Sequence, residues 1–212
     1  MRNRQEFSGL SGQLIEVIDL SRIALEHAAA ALCDHDPPAG SRLPDVEKAL
    51  FAQRQAVEDQ ALAIEETRVE PSDTALRTIV VAAQINADAE CVGELVRRLA
   101  EIAGSRPSRP TMPTEVQATV CSMGRVCVEM MAIAGSAVGS AQAATEAGMG
   151  ADDAEMHRLR RLLYQLLLHD PGTVHVDAAL DASLACRYYM RCAEHAISMA
   201  RHAVLAVHGD PV

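Results

Sequence analysis

Residues 71–103 read PSDTALRTIVVAAQINADAECVGELVRRLAEIA, and this stretch decides the fold. Its apolar residues Ile85, Val92, Val96, Leu99 and Ala103 recur at steps of three, four and seven. That spacing places them on one stripe of an α-helix. The stretch is also duplicated. A shift of one hundred residues aligns Leu62 with Leu162, Pro71 with Pro171, Ala82 with Ala182, Glu94 with Glu194, Ala100 with Ala200 and Ala103 with Ala203. Alanine matches carry little weight in a chain with 37 Ala, but the Pro and Glu matches fall in the same ungapped frame. A period of that length, containing several helices, means a repeated structural unit.

Turn and loop signals cut the rest of the 212 residues at 34–44 (DHDPPAGSRLP), Pro71, 104–114 (GSRPSRPTMPT), 139–153 (GSAQAATEAGMGADD) and 170–173 (DPGT). Between them Phe7, Leu10, Leu14, Val17, Ser21, Ala24, Ala28 and Ala31 mark another one-sided helix. The pattern predicts helices over 6–33, 45–68, 73–103, 114–146, 152–169 and 176–208. Long helices joined by short connections form bundles. The expected fold is all-α, two tandem three-helix bundles related by the repeat, one over residues 1–106 and one over 107–212. Composition agrees. There is no Trp, with two Phe and three Tyr, and 49% of residues are hydrophobic. The core is therefore made of Ala, Leu, Val, Ile and Met, which excludes an all-β fold and disorder.

A net charge of −10 without a large Lys/Arg cluster argues against nucleic-acid contact. The N-terminus lacks the apolar run of a signal peptide. The charge-poor stretch near Met130–Thr145 is interrupted by Gly135, Ser136, Gly139, Ser140 and Gln142, so no membrane insertion is expected. The six cysteines, at 33, 91, 121, 127, 186 and 192, include no CxxC. Each C-x5-C pair places its thiols about 240° apart around a helix, so the expected state is six reduced thiols in a cytoplasmic protein.

Motifs for catalysis are absent. Leu10-Ser11-Gly12-Gln13 matches part of the signature loop of transport ATPases, but no GxxxxGK[ST] loop accompanies it. GxSxG, HExxH, GxGxxG and paired Glu-x-x-His are missing too. No catalytic residue is therefore assigned, and no cofactor is required. The chemistry-bearing positions are acidic. Glu90 and Glu94 lie one turn apart, about 160° round the helix from Val92. With further oxygens from Asp45 on the neighbouring helix, or from Asp88, they could ligate a hard or borderline cation. Alternatively they form a solvated face, with Glu94 paired to Arg98. In the sixth helix Tyr188, Cys192, His195, Met199 and His202 share a stripe. That stripe reads as core, or as ligands for a soft metal.

The run 71–103 resembles the first signature of PhoU proteins, in which a Leu-Arg pair precedes a helix reading D-L-E-R-I-G-D. Leu76-Arg77 match the pair, and Asp88, Glu90, Val92, Gly93 and Glu94 fall on D, E, I, G and the second D. Residues 188–196, YYMRCAEHA, are similar to the second signature, and Val207-His208-Gly209 match its end. Two departures stand out: Cys91 replaces the usual Arg, and Met190 takes the acidic position one turn before Glu194.

The resemblance covers nearly the whole chain. It implies a cytoplasmic, homodimeric regulator with no enzymatic activity, an adaptor between the phosphate-specific ABC transporter ATPase subunit and a sensor histidine kinase. Such proteins restrain the phosphate-starvation response when phosphate is plentiful. It also implies iron or zinc at the acidic motif, here Glu90 and Glu94 with Asp45, whereas Glu194 lacks its partner. The alternatives are a bundle whose surface carboxylates hold a metal for storage or catalysis, and a dimeric helical scaffold unrelated to phosphate.

Overall fold

The computed structural model describes residues 2–33, 37–66, 73–105, 111–139, 143–169 and 174–208. Pro71, Pro171, Gly209 and the junction at 106/107 lie outside them. Six helices follow one another: α1 (Arg2–Cys33), α2 (Pro37–Glu66), α3 (Asp73–Ser105), α4 (Thr114–Gly139), α5 (Ala143–His169) and α6 (Val176–His208). Among the described residues there is no strand.

The predicted stripes are the ones that fold inward. Leu10, Leu14, Val17, Ser21, Ala24 and Ala28 of α1 are buried, as are Ile85, Val92, Val96 and Leu99 of α3. Ser21 tolerates this because its hydroxyl donates to the Val17 carbonyl at 2.8 Å. Helix boundaries differ from expectation most in two places. α2 starts at Pro37 rather than 45 and runs through Pro44. Pro44 is exposed, while its neighbour Leu43 is buried and anchors that turn to the core. The second difference is the break between the fourth and fifth helices, expected between 146 and 152 in the Gly-rich segment 139–153. α4 stops at Gly139 and α5 already begins at Ala143. Met149, Met156, Leu159 and Leu163 are all buried at helical spacing, and tertiary packing there outweighs the helix cost of Gly148 and Gly150.

The two three-helix bundles, α1–α3 and α4–α6, pack side by side. α1 lies against α2, α3 and α4, and α6 lies against α3, α4 and α5. One continuous apolar core runs through both halves. Across the seam α1 and α4 are antiparallel, with Cys33 near Cys121 and Ile18 near Gly135. Small residues permit this approach. A Cβ built on Gly124 of α4 would lie 3.0 Å from the Tyr189 hydroxyl oxygen of α6 and 3.2 Å from the Ala29 Cβ of α1. Tyr189, wholly buried, thus occupies the space that any side chain at 124 would need.

α4 is the one described helix long and apolar enough to cross a membrane, by length and composition, over Thr114–Val138. Its apolar stripe, Val116, Val120, Met123, Cys127, Met130 and Ala134, is buried in the shared core. A core helix has that composition for the same reason a spanning helix does.

The expectation of six reduced thiols needs correction. Cys33 and Cys121, separated by 88 positions in sequence, form a disulfide with Cα atoms 5.7 Å apart. Cys91, Cys127, Cys186 and Cys192 are free. The pairing joins cysteines from different halves, so neither C-x5-C spacing could reveal it.

Candidate functional site

The acidic residues singled out above separate onto two faces of α3. Positions 88 and 90 are about 200° apart round a helix, so Asp88 turns one way and Glu90 with Glu94 the other.

Glu90 and Glu94 face α2. Arg54 reaches across from α2, its Nη2 2.8 Å from Glu90 Oε2, while its Nε donates to the Asn86 carbonyl at 3.2 Å. Asn86 answers with its amide, donating to Glu58 Oε1 at 2.8 Å and to the Arg54 carbonyl at 3.3 Å. Further along, Arg97 lies 3.7 Å from Glu94 and 3.9 Å from Glu47. The anticipated Glu94–Arg98 pair is replaced, because Arg98 turns to Glu101 at 3.1 Å. That hydrogen bond and charge hold the Arg98 guanidinium above its ordinary pKa.

The register between α2 and α3 explains where Asp45 falls. Arg54 pairs with Glu90 and Glu47 with Arg97, so residue numbers across the contact sum to about 144. Asp45 therefore stands level with Leu99, about 7.5 Å along the axis from Glu94. It is exposed there, and the structure does not bring it to the glutamates. Arg54, a cation, occupies the place beside Glu90 where a third oxygen ligand was expected. Glu194 is exposed and pairs with Arg191 at 2.9 Å.

Asp88 faces α6 instead. His195 Nδ1 lies 2.9 Å from its Oδ1 and His202 Nδ1 lies 3.7 Å from its Oδ2. Asp88 and His195 are each only 15% exposed. The stripe on α6 is thus core at Cys192 and Met199, with the two histidines at its edge fastening α6 to α3 across the seam. The two imidazoles sit seven residues apart, about 10.5 Å of helix, and approach opposite oxygens of one carboxylate. Among the described residues no three His, Cys, Asp or Glu side chains converge as a metal site would require. The donor set does not fit an iron or zinc ion at Glu90 and Glu94, since an arginine stands against each glutamate.

Arg54, Asn86 and the Asp88–His195 pair were missed by sequence reasoning. Their partners lie 28 to 107 residues away, and no local spacing announces them. The surface adds one regularity. Leu76 and Val80 at the start of α3 are 46% and 57% exposed, and Val176 and Leu180, one hundred residues on, are 78% and 52% exposed. The repeat therefore carries the same exposed apolar pair in both halves. α3 and α6 run antiparallel, so the two pairs lie toward opposite ends of the seam.

No family model matches the chain. It is 31% identical over 205 residues to the phosphate-specific transport system accessory protein PhoU homolog 2 of Mycobacterium tuberculosis, covering 97% of this chain and 96% of that protein. It is also 31% identical over 207 residues to PhoU homolog 1 of Mycobacterium leprae, covering 97% and 92%. Among solved structures, PhoU from Pseudomonas aeruginosa matches with a TM-score of 0.83 at 19% identity, covering 98% of this chain and 99% of that one. The phosphate transport system regulatory protein PhoU from Streptococcus pneumoniae matches at 0.77 and 15%, covering 99% and 98%.

Proposed function

Since the chain belongs to the PhoU family, we propose that it regulates phosphate uptake and phosphate-starvation signalling. It does so without enzymatic activity, as a cytoplasmic, dimeric adaptor between the ATPase subunit of the phosphate-specific ABC transporter and a sensor histidine kinase. The observation that carries this reading is end-to-end similarity, 31% over 97% of the chain, to accessory proteins of that transport system.

Two structural features support it. The surface charges on α2 and α3 are committed to each other: Arg54 serves Glu90 and Asn86, and Arg97 stands between Glu94 and Glu47. Such a lattice fixes the spacing of α2 on α3. The duplicated apolar pairs, Leu76 with Val80 and Val176 with Leu180, supply exposed contact surface on both halves, as an adaptor with more than one partner needs.

The test is co-purification from cells grown in high and low phosphate. The transporter ATPase subunit and a sensor kinase should be recovered together with the chain, more so in high phosphate. Replacing Leu76 and Val80 by Glu should reduce recovery of one of them. Recovery of neither protein under either condition would refute the adaptor reading.

A further inference from the structure

We propose that the Cys33–Cys121 disulfide is a thiol–disulfide exchange site, opened by a dithiol reductant, that sets how firmly the end of α1 is fastened to α4. The inference takes from the proposed function only the cytoplasmic location, where dithiol reductants are present. Disulfides that persist in such a compartment are usually redox-active rather than purely structural.

Access divides the six cysteines, of which Cys91 is free and exposed on α3. Cys127, Cys186 and Cys192 are buried. The Cys127 thiol is held well above its ordinary pKa by its hydrogen bond with Cys192 and by burial, and burial pushes Cys186 up to about 11. Neither Cys127 nor Cys186 is a reactive thiolate at neutral pH. The bonded pair is different. Cys33 and Cys121 are only partly buried and line a groove of about 790 Å³ between α1 and α4, with Glu26, Ala29, Gln117, Gly124, Arg125 and Val128. A reductant can therefore reach the sulfurs without unfolding the core.

The position gives the bond leverage. Cys33 is the last residue of α1, and the disulfide is a covalent link between the two halves at that end of the seam. The Gln117 side-chain amide donates to the Cys33 carbonyl at 3.1 Å, and Ala29 packs by Gly124. These contacts remain when the bond opens, so reduction loosens this end rather than unfolding the protein.

The reductant's thiolate attacks one of the two sulfurs, the S–S bond breaks, and the other cysteine leaves as the thiolate. The reductant's second thiol, once deprotonated, attacks the mixed disulfide and releases the first cysteine. The protein gains two electrons and two protons, and the dithiol becomes a cyclic or intramolecular disulfide.

The experiment uses the full chain, folded, titrated with dithiothreitol, followed by differential alkylation and mass spectrometry of each cysteine. Cys33 and Cys121 should become alkylable together while Cys127, Cys186 and Cys192 stay protected, and oxidised dithiothreitol should restore the bond. Hydrogen exchange in 28–33 and 114–121 should accelerate about tenfold on reduction, with helix content unchanged. The Cys33→Ser protein should show that fast exchange without reductant. A bond that dithiothreitol opens only in denaturant, exchange rates equal in both redox states, or free thiols at 33 and 121 in protein acid-quenched from oxidant-treated cells would each overturn the proposal. None of these readouts depends on phosphate or on any partner.

Discussion

Gly124→Ala should destabilise the protein although alanine is the better helix former, and the size of the effect follows from two neighbours, Tyr189 and Ala29. In an exposed helix interior the change stabilises by about 1 kcal/mol. Gly12 of α1 is such a place, because a Cβ there meets nothing within 4 Å. At Gly124 the new methyl would lie 3.0 Å from the Tyr189 hydroxyl oxygen, 3.1 Å from its Cζ and 3.2 Å from Ala29 Cβ. Tyr189 is wholly buried, and Ala29 Cβ is tied directly to the α1 backbone, so neither can yield by rotating away. Overpacking of this kind costs about 1–3 kcal/mol. The net effect is a loss of about 0–2 kcal/mol at Gly124 against a gain of about 1 kcal/mol at Gly12. For a chain of this length 1 kcal/mol moves Tm by about 2–4 °C, so Gly12→Ala should melt several degrees above Gly124→Ala. Thermal unfolding followed by circular dichroism measures this. Adding Tyr189→Phe to Gly124→Ala removes the closest contact and should recover part of the loss. If Gly124→Ala stabilised as much as Gly12→Ala, α1, α4 and α6 could not meet as described.

Three further outcomes follow from the site. Asn86→Ala removes the amide that joins Glu58 to the Arg54 carbonyl, and chemical denaturation should register a loss of about 1–3 kcal/mol. Asp152 has its carboxyl pKa raised by burial and by the charge of Glu129, so its ionised form is penalised in the folded state above that raised value. Asp152→Asn should therefore raise Tm at neutral pH, and the gain should vanish as pH falls through the folded pKa toward the ordinary 3.8, where the wild-type group is itself protonated. Glu90→Gln with Glu94→Gln removes the carboxylates opposite Arg54 and Arg97, and should cost about 1 kcal/mol while leaving the metal content of untagged protein equal to wild type by elemental analysis.

What was legible in the sequence, and what was not, divides along the range of the interactions. Stripes such as Leu10–Ala28 and Ile85–Leu99 are set by helical period, a local property, and they are buried as read. The hundred-residue repeat likewise needs only the order of residues. Where tertiary burial decides, local signals misled: Met149 and Met156 hold the Gly-rich start of α5 helical, and Leu43 carries α2 through Pro44. The site was half legible. Spacing placed Glu90 and Glu94 together on an outer face, with Arg97 three residues beyond Glu94 on the same helix, but Glu90's counterion Arg54 comes from the register of α2 on α3, and no pattern in 73–103 encodes it. Asp88, grouped with them by proximity in sequence, belongs to the opposite face and to the histidines of α6. The disulfide joins residues 88 apart in different halves, and only the docking of α1 on α4 reveals it.

The central claim, that this chain restrains phosphate-starvation signalling, is tested most directly by transcript levels. Phosphate-starvation genes would be measured in phosphate-rich medium in a strain lacking this chain, in the same strain carrying it back, and in a strain also lacking any paralogue. The account predicts that these genes switch on when the chain is lost and switch off when it is restored. Unchanged transcripts in the strain lacking both the chain and its paralogues would contradict it.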